Sequence, residues 1–175
     1  MTMAAIYVRQ ATLADLPAIM ELIQDAKDHL KSQDVDQWQN GYPDEAAFHD
    51  DIEHGFNYVL ISDGKIAGTA TLFPSPDPYY GQIDHGAWAG DPDEKYVVIH
   101  RIAISSQFRG QHLSKLLISN LISIAVLLGY HDIRIDTHPD NKGMQHVITT
   151  NGFIYRGYIY MFEDKQPRYA YQLEL

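Results

Sequence analysis

The chain has 175 residues, 45% of them hydrophobic, with no cysteine and a formal net charge of -10. This length accommodates one domain with a substantial core. The lack of cysteine excludes disulfides, thiolate nucleophiles and cysteine-ligated zinc. So acidic a balance argues against a nucleic-acid partner, whose phosphates need a basic surface, and mildly favours a cationic substrate.

No segment looks like a leader. The opening MTMAAIYVRQ has no basic stretch followed by an apolar core, so no secretory signal is expected. The longest apolar run, around 121–128, is too short to cross a bilayer. A cytoplasmic protein without a membrane partner is the expectation, read as a single domain over 1–175.

In chain order, residues 5–10 alternate as a first strand. Thr12 with Asp15 forms an acidic variant of the capping box. It opens a helix to about Lys31, with Leu13, Leu16, Ile19, Met20 and Ile23 at helical spacing. Pro43-Asp44 starts a second helix that Gly55 ends. Strands at 57–62 and 65–73 are joined by Asp63-Gly64, a hairpin turn. Residues 74–93 hold four prolines, three glycines and the aromatics Tyr79, Tyr80 and Trp88. Connections this long inside a domain are often functional.

A strand over 95–104 then runs through a loop at Arg109-Gly110 into a helix over about 112–128, which Gly129 closes. Peptide amides opening a helix, with the positive end of its dipole, form a cradle for a pyrophosphate. Arg109 and Lys115 add positive charge locally, against the acidic whole. Further strands are expected at 131–137, 153–163 and 168–175, with a short helix from Asn141 to Thr150 between the first two. The order, with a βαβ unit in the second half, implies an α/β fold: a mixed, mostly antiparallel twisted sheet of about seven strands flanked by about four helices.

Three segments, VRQATLADLPAIMELI, IHRIAISSQFRGQHLSKLLI and HPDNKGMQHVITTNGFIYRG, together resemble the GNAT acetyltransferase superfamily over nearly the whole chain. The resemblance implies acetyl-CoA as cosubstrate and no metal. It assigns Ile102, Ala103 and Ile104 to the pantetheine arm through backbone groups. Arg109, Gly110, Gln111, His112, Leu113 and Ser114 would hold the pyrophosphate, and Asn141 would touch the cofactor. The chain departs from the family pattern in two places, the loop and the position of a usual tyrosine. His112 stands where a second glycine is usual, and Ser114 where a small apolar residue is. A tyrosine seven residues after the asparagine, suited to protonating the departing thiolate, is here Ile148. Tyr155, Tyr158 and Tyr160 are candidate replacements, Tyr155 in particular, with solvent as the alternative.

Acetyl transfer needs the neutral amine, and an alkylammonium has a pKa of ~10, so a base near neutrality is required. His100 is the candidate, at a position where several family members carry histidine or glutamate; its bland reading is a core histidine satisfied by a neighbour. Strand alternation puts Val98, His100, Ile102 and Ile104 on one face unless a bulge intervenes. Arg101 then points the other way and pairs with an acidic residue. Trp38, Gln37, Tyr79, Tyr80 and Trp88 are candidate acceptor-pocket walls, against the bland reading that such aromatics cover a core. There is no His-Glu-x-x-His, and His49 and His54 are five apart, a poor pair for a metal.

The expected activity is direct acetyl transfer from acetyl-CoA to the amine of a small molecule, by an enzyme that can form a homodimer. Two alternatives stay open: a non-catalytic acyl-CoA sensor or interaction module on this fold, and acetylation of a protein N-terminus or lysine. An acceptor groove open at both ends would fit the protein substrate, an enclosed pocket the small molecule.

Overall fold

The computed structural model describes residues 4–162 and 165–175. Strand β1 (Ile6–Gln10) is followed by a short 3-10 turn and helix α1 (Leu16–Ser32), then α2 (Glu45–Glu53). The hairpin β2 (Asn57–Ser62) and β3 (Lys65–Pro74) leads through a long loop to β4 (Tyr96–Ile104). Next come α3 (Leu113–Leu127), β5 (Asp132–Thr137), α4 (Lys142–Thr150), β6 (Ile154–Tyr160) and β7 (Pro167–Glu174). The strand expected at 153–163 is thus shorter; its last residue, Glu163, lies outside the described residues, as do Met1 to Met3.

Local signals place most ends. The Thr12 amide donates to Asp15 Oδ2 at 2.8 Å, the backbone half of the capping box. Asp44 accepts from the Ala47 amide at 2.9 Å to cap α2, and Asn141 accepts from the Met144 amide at 3.1 Å to cap α4.

The seven strands form one sheet in the order β1-β2-β3-β4-β5-β7-β6. Only the β4–β5 pair is parallel. One face packs on α3 and α4. Leu113, Leu117, Ile118 and Leu121 meet Tyr58, Leu60, Ile99, Ile133 and Ile135 there, each such burial contributing about 1.5–3 kcal/mol. The opposite face has two different covers. Over β2 and the end of β4 it is helical, with Ile19, Ile23, Phe48 and Ile52 on Val59, Ile61 and Ala103.

Over β5 to β7 the cover is the long loop. Tyr80 and Trp88 pack there on Val98, Ile159 and Ala170. The loop is bonded to the sheet: Asp84 and Tyr158 exchange amide–carbonyl bonds of 2.8 Å, and Gln172 bonds both the amide and the carbonyl of Ala89. Gly86 lies so close to β6 that a Cβ there would stand 1.7 Å from the Arg156 carbonyl oxygen.

Two irregularities shape the centre. β4 and β5 pair from Tyr96↔Asp132 to Ile99↔Ile135 and no further, so the strands splay beyond. In the same stretch β4 carries an extra residue against β3, because Thr71 faces His100 while Thr69 faces Ala103. Arg101 takes up the excess with φ of 52°, a β-bulge.

Candidate active site

The bulge changes which side chains share a face. Simple alternation put His100 with Ile102 and Ile104, and Arg101 opposite. Instead Ile102 and Ile104 pack toward the α3 core, while His100 and Arg101 both project to the α1/α2 side, because one extra residue shifts the parity by one. Arg101 is held there by a bidentate pair to the buried Asp51 of α2, both contacts 2.8 Å, so its acidic partner was legible and its direction was not. Its Nη1 donates to the Tyr42 hydroxyl oxygen. Asp51 also accepts from Thr71 Oγ1 at 2.7 Å.

His100 sits at the splay. Its Nε2 is 2.7 Å from Oδ2 of Asp77, a buried carboxylate in the long loop. Asp77 is itself held: Oδ1 accepts from the Tyr79 amide at 2.9 Å, and its own amide donates to the Tyr96 hydroxyl oxygen at 3.1 Å. Phe73 and Tyr80 stand edge-on to the imidazole, with centroids 6.0 and 5.9 Å away. With Nε2–H donated to Asp77, the lone pair is on Nδ1 and the ring orientation is fixed. Across the splay, Asp136 of β5 accepts a 2.6 Å hydrogen bond from the Tyr80 hydroxyl. Burial pushes the Asp136 carboxyl above the usual aspartate range, with nearby His100 opposing the shift. Burial and the same carboxylate push the Tyr80 hydroxyl well up.

Phe73, Asp77, His100 and Asp136 line a cavity of about 900 Å³ that runs from the splay along β4 to the start of α3. At that far end Gly110 has φ of 80° and His112 φ of 57°. His112 keeps the left-handed backbone that favours glycine, which explains how the loop survives its replacement. Leu116 is the first amide to bond back, to the His112 carbonyl at 3.4 Å. Among the described residues the amides of 110–115 have no hydrogen-bond partner, which leaves them to a ligand. Arg109, Gly110, His112, Leu113, Ser114 and Lys115 line this end, Leu113 with its side chain in the core. Gln111 does not line it. Asp25 of α1 secures the loop, accepting from the Ser106 amide at 2.8 Å with Arg109 3.5 Å away.

Beyond Ile99 no described strand pairs with the β5-facing edge of β4, so Ile102, Ala103 and Ile104 present backbone groups to the cavity. Free amides at one end and a free strand edge leading to the splay fit the diphosphate and the amide-bearing arm of coenzyme A. Asn141 also lines the cavity, but its amide is engaged: Oδ1 caps α4 and Nδ2 donates to Gln37 Oε1 at 3.0 Å. A cofactor contact by Nδ2 there would take the place of the Gln37 bond.

Several expected residues lie elsewhere. Tyr155 is on the edge strand β6, among Tyr158, Tyr169 and Tyr171. It is outside the cavity lining, with its hydroxyl pushed up to about 12 chiefly by burial. Tyr158 and Tyr160 do not line the cavity either. Ile148 is wholly buried in the α3 core, so its position does not face the cleft. Tyr80 and Trp88 are not pocket walls: their rings stack at 5.5 Å and Arg134 lies 4.3 Å from the Trp88 centroid, so they form the small core beneath the loop. Trp38 and Gln37 do line the cavity, with Tyr79. Asp77, Asp136 and Tyr42 were not singled out from the sequence; the proline-bracketed Asp77 in the long loop was the one available hint.

Among the described residues no group of three or more His, Asp or Glu is placed to hold a metal ion, and no helix is long and apolar enough to cross a membrane.

The profile of the Acetyltransferase (GNAT) family matches residues 17–153. The uncharacterized N-acetyltransferase YesJ of Bacillus subtilis is 29% identical over 110 residues, 61% of this chain and 58% of its own. The chain spans between about a third and three-fifths of the curated relatives it matches. A GNAT-family acetyltransferase from Streptococcus agalactiae, known from its crystal structure, is 34% identical, superimposes with a TM-score of 0.89 and is matched over 99% of this chain and 98% of its own. The structure of yncA from Salmonella typhimurium with its cofactor acetyl-CoA shares the fold at a TM-score of 0.66 and 20% identity, over 98% of this chain and 94% of its own.

Proposed function

From the premise that this chain belongs to the GNAT acetyltransferase family, we propose that it transfers an acetyl group directly from acetyl-CoA to the amine of a small molecule. The observation that carries this reading is the His100–Asp77 pair at the strand splay, 2.7 Å apart, inside the cavity that begins at the free amides of α3.

Acetyl-CoA supplies the activated thioester carbonyl. The amides at 110–115 and Arg109 hold its anionic end, and the free edge of β4 orients its arm. His100 takes the proton from the attacking amine, and Asp77 holds the ring and stabilises the imidazolium that forms. Asp77 and Asp136 bring two carboxyl groups to the acceptor end, with Arg168 also in the lining, and offer hydrogen-bond acceptors to an amine.

The roof supports a small acceptor. Residues 77–79 line the cavity together with the α1–α2 loop, and Gln37 of that loop accepts a hydrogen bond from Asn141 beside it. A protein chain needs a groove open at both ends.

Calorimetric titration with acetyl-CoA, followed by a screen of amines, tests the reading. His100→Ala is expected to lower kcat by roughly 100-fold or more while acetyl-CoA affinity stays unchanged. Unchanged turnover removes His100 from the mechanism, and binding without turnover on any amine favours the sensor.

A further inference from the structure

Thr137 ends β5 just beyond the point where β4 and β5 separate. It is fully buried, it lines the cavity, and among the described residues its Oγ1 is the buried side-chain polar atom that has no hydrogen-bond partner. Leaving a hydroxyl unpaired in a dry site is costly, and natural proteins do so rarely. An isosteric valine would avoid the cost. A buried, unpaired hydroxyl on a residue that borders a ligand cavity points to a partner that arrives with the ligand.

The side of the sheet on which Thr137 stands says which part of the ligand that is. Along β5, Ile133 and Ile135 pack into the α3/α4 core. Arg134 turns to Trp88 and Tyr96, and Asp136 to Tyr80, on the other face. By alternation Thr137 belongs to the α3/α4 face, where its strand partner Tyr169 also packs. His100, Asp77 and Asp136 all lie on the opposite face. An amine deprotonated by His100 thus reaches the carbonyl carbon from one face of the splay. The sulfur, set by the arm along the free edge of β4, then has room on the other face, where Thr137 is. No tyrosine hydroxyl competes from β6, since Tyr155, Tyr158 and Tyr160 are outside the lining, and Ile148 is in the core.

We propose that the Thr137 hydroxyl donates a hydrogen bond to the sulfur of coenzyme A as the carbon–sulfur bond breaks. The assignment rests on the acetyl-transfer reading above. The nitrogen–carbon bond forms, the carbon–sulfur bond breaks with its electron pair on sulfur, and the amine proton goes to His100. Thr137 keeps its own proton and stabilises the thiolate, and no further reactant is needed. A thiol of pKa ~8.5 is a fair leaving group, so a hydrogen-bond donor suffices where a stronger acid is missing. A donor to an ionised acceptor is also stronger than one to a neutral acceptor.

The test compares the parent, Thr137→Val and Thr137→Ser by calorimetry with coenzyme A and with desulfo-coenzyme A at pH 7 and pH 9, and by the melting temperature of each free protein. The parent should bind coenzyme A about three- to tenfold more tightly than the desulfo compound, with a wider gap at pH 9, where the thiol is ionised. Thr137→Val should close that gap, leave affinity for the desulfo compound unchanged, and melt no lower than the parent, since it removes an unpaired hydroxyl. Thr137→Ser should keep the gap. In turnover with an acceptor amine, Thr137→Val should lower kcat about tenfold at an unchanged KM for acetyl-CoA. Equal gaps in parent and Thr137→Val overturn the assignment. A parent that binds neither compound overturns the acetyl-CoA reading itself, and this assignment with it.

Discussion

The α3 end of the cleft comes from one unbroken stretch, 105–115, and offers chiefly peptide amides. The splay end gathers Tyr42, Asp77, Tyr79, His100 and Asp136 from four separate parts of the chain and offers side chains. The first end is expected to tolerate substitution because every residue except proline brings the same amide. His112 in the left-handed conformation keeps the backbone shape that glycine would give. The second end depends on supports far from the chemistry. Asp77 reaches His100 only because the long loop is pinned to β6 and β7, and His100 shares a face with Arg101 only because β4 bulges.

The sharpest way to break this contrast is Gly86→Ala. A Cβ 1.7 Å from the Arg156 carbonyl oxygen cannot be accommodated without moving backbone. The expected cost is about 3 kcal/mol, seen as a lowered melting temperature, together with loss of acetyl transfer. Acetyl-CoA affinity should persist in whatever protein stays folded, because the α3 end does not rest on this loop. Loss of cofactor affinity in step with activity would show that the two ends are one unit.

Asp136→Asn is the next largest. A buried carboxyl whose pKa is raised on folding favours the folded state while protonated, and that contribution is lost as pH rises through the folded value. Asparagine resembles the protonated form at every pH. The variant should therefore melt at the parent's temperature near pH 4, where an ordinary aspartate titrates, and above it at pH 7. Its KM for a cationic amine should rise while acetyl-CoA affinity stays the same. A variant less stable at pH 7 would mean that the ionised carboxylate is better paired than its burial implies.

The smallest effect is expected from His112→Gly. Relief of the left-handed backbone and the greater freedom of glycine in the unfolded chain nearly offset each other, so stability should change by less than about 1 kcal/mol. Affinity for acetyl-CoA should stay within about threefold if amides carry it. A tenfold loss would assign the phosphate contact to the imidazole.

The elements themselves were legible at short range. α3, expected over about 112–128, runs Leu113–Leu127, and α4 starts where Asn141 caps it, because apolar periodicity, caps and turn glycines act within a few residues of themselves. The amide-bearing end of the cleft was readable for the same reason: strand, loop and helix start are contiguous. His100 was singled out from the sequence, but not the Asp77 that lies beside it. Nothing within 20 residues of it in sequence announces Asp77, and no local pattern reveals an extra residue in β4.

What the sequence determined by itself is the set of helices and strands and a stretch of amides able to receive an anion, since these depend on spacing along the chain. The tertiary structure decided which side chains meet. It set the parity of β4 through its register against β3. It turned Tyr80 and Trp88 into a core beneath the long loop and left the Thr137 hydroxyl buried beside the splay. Those outcomes follow from pairings between residues distant in sequence, and no periodicity along a single segment encodes them.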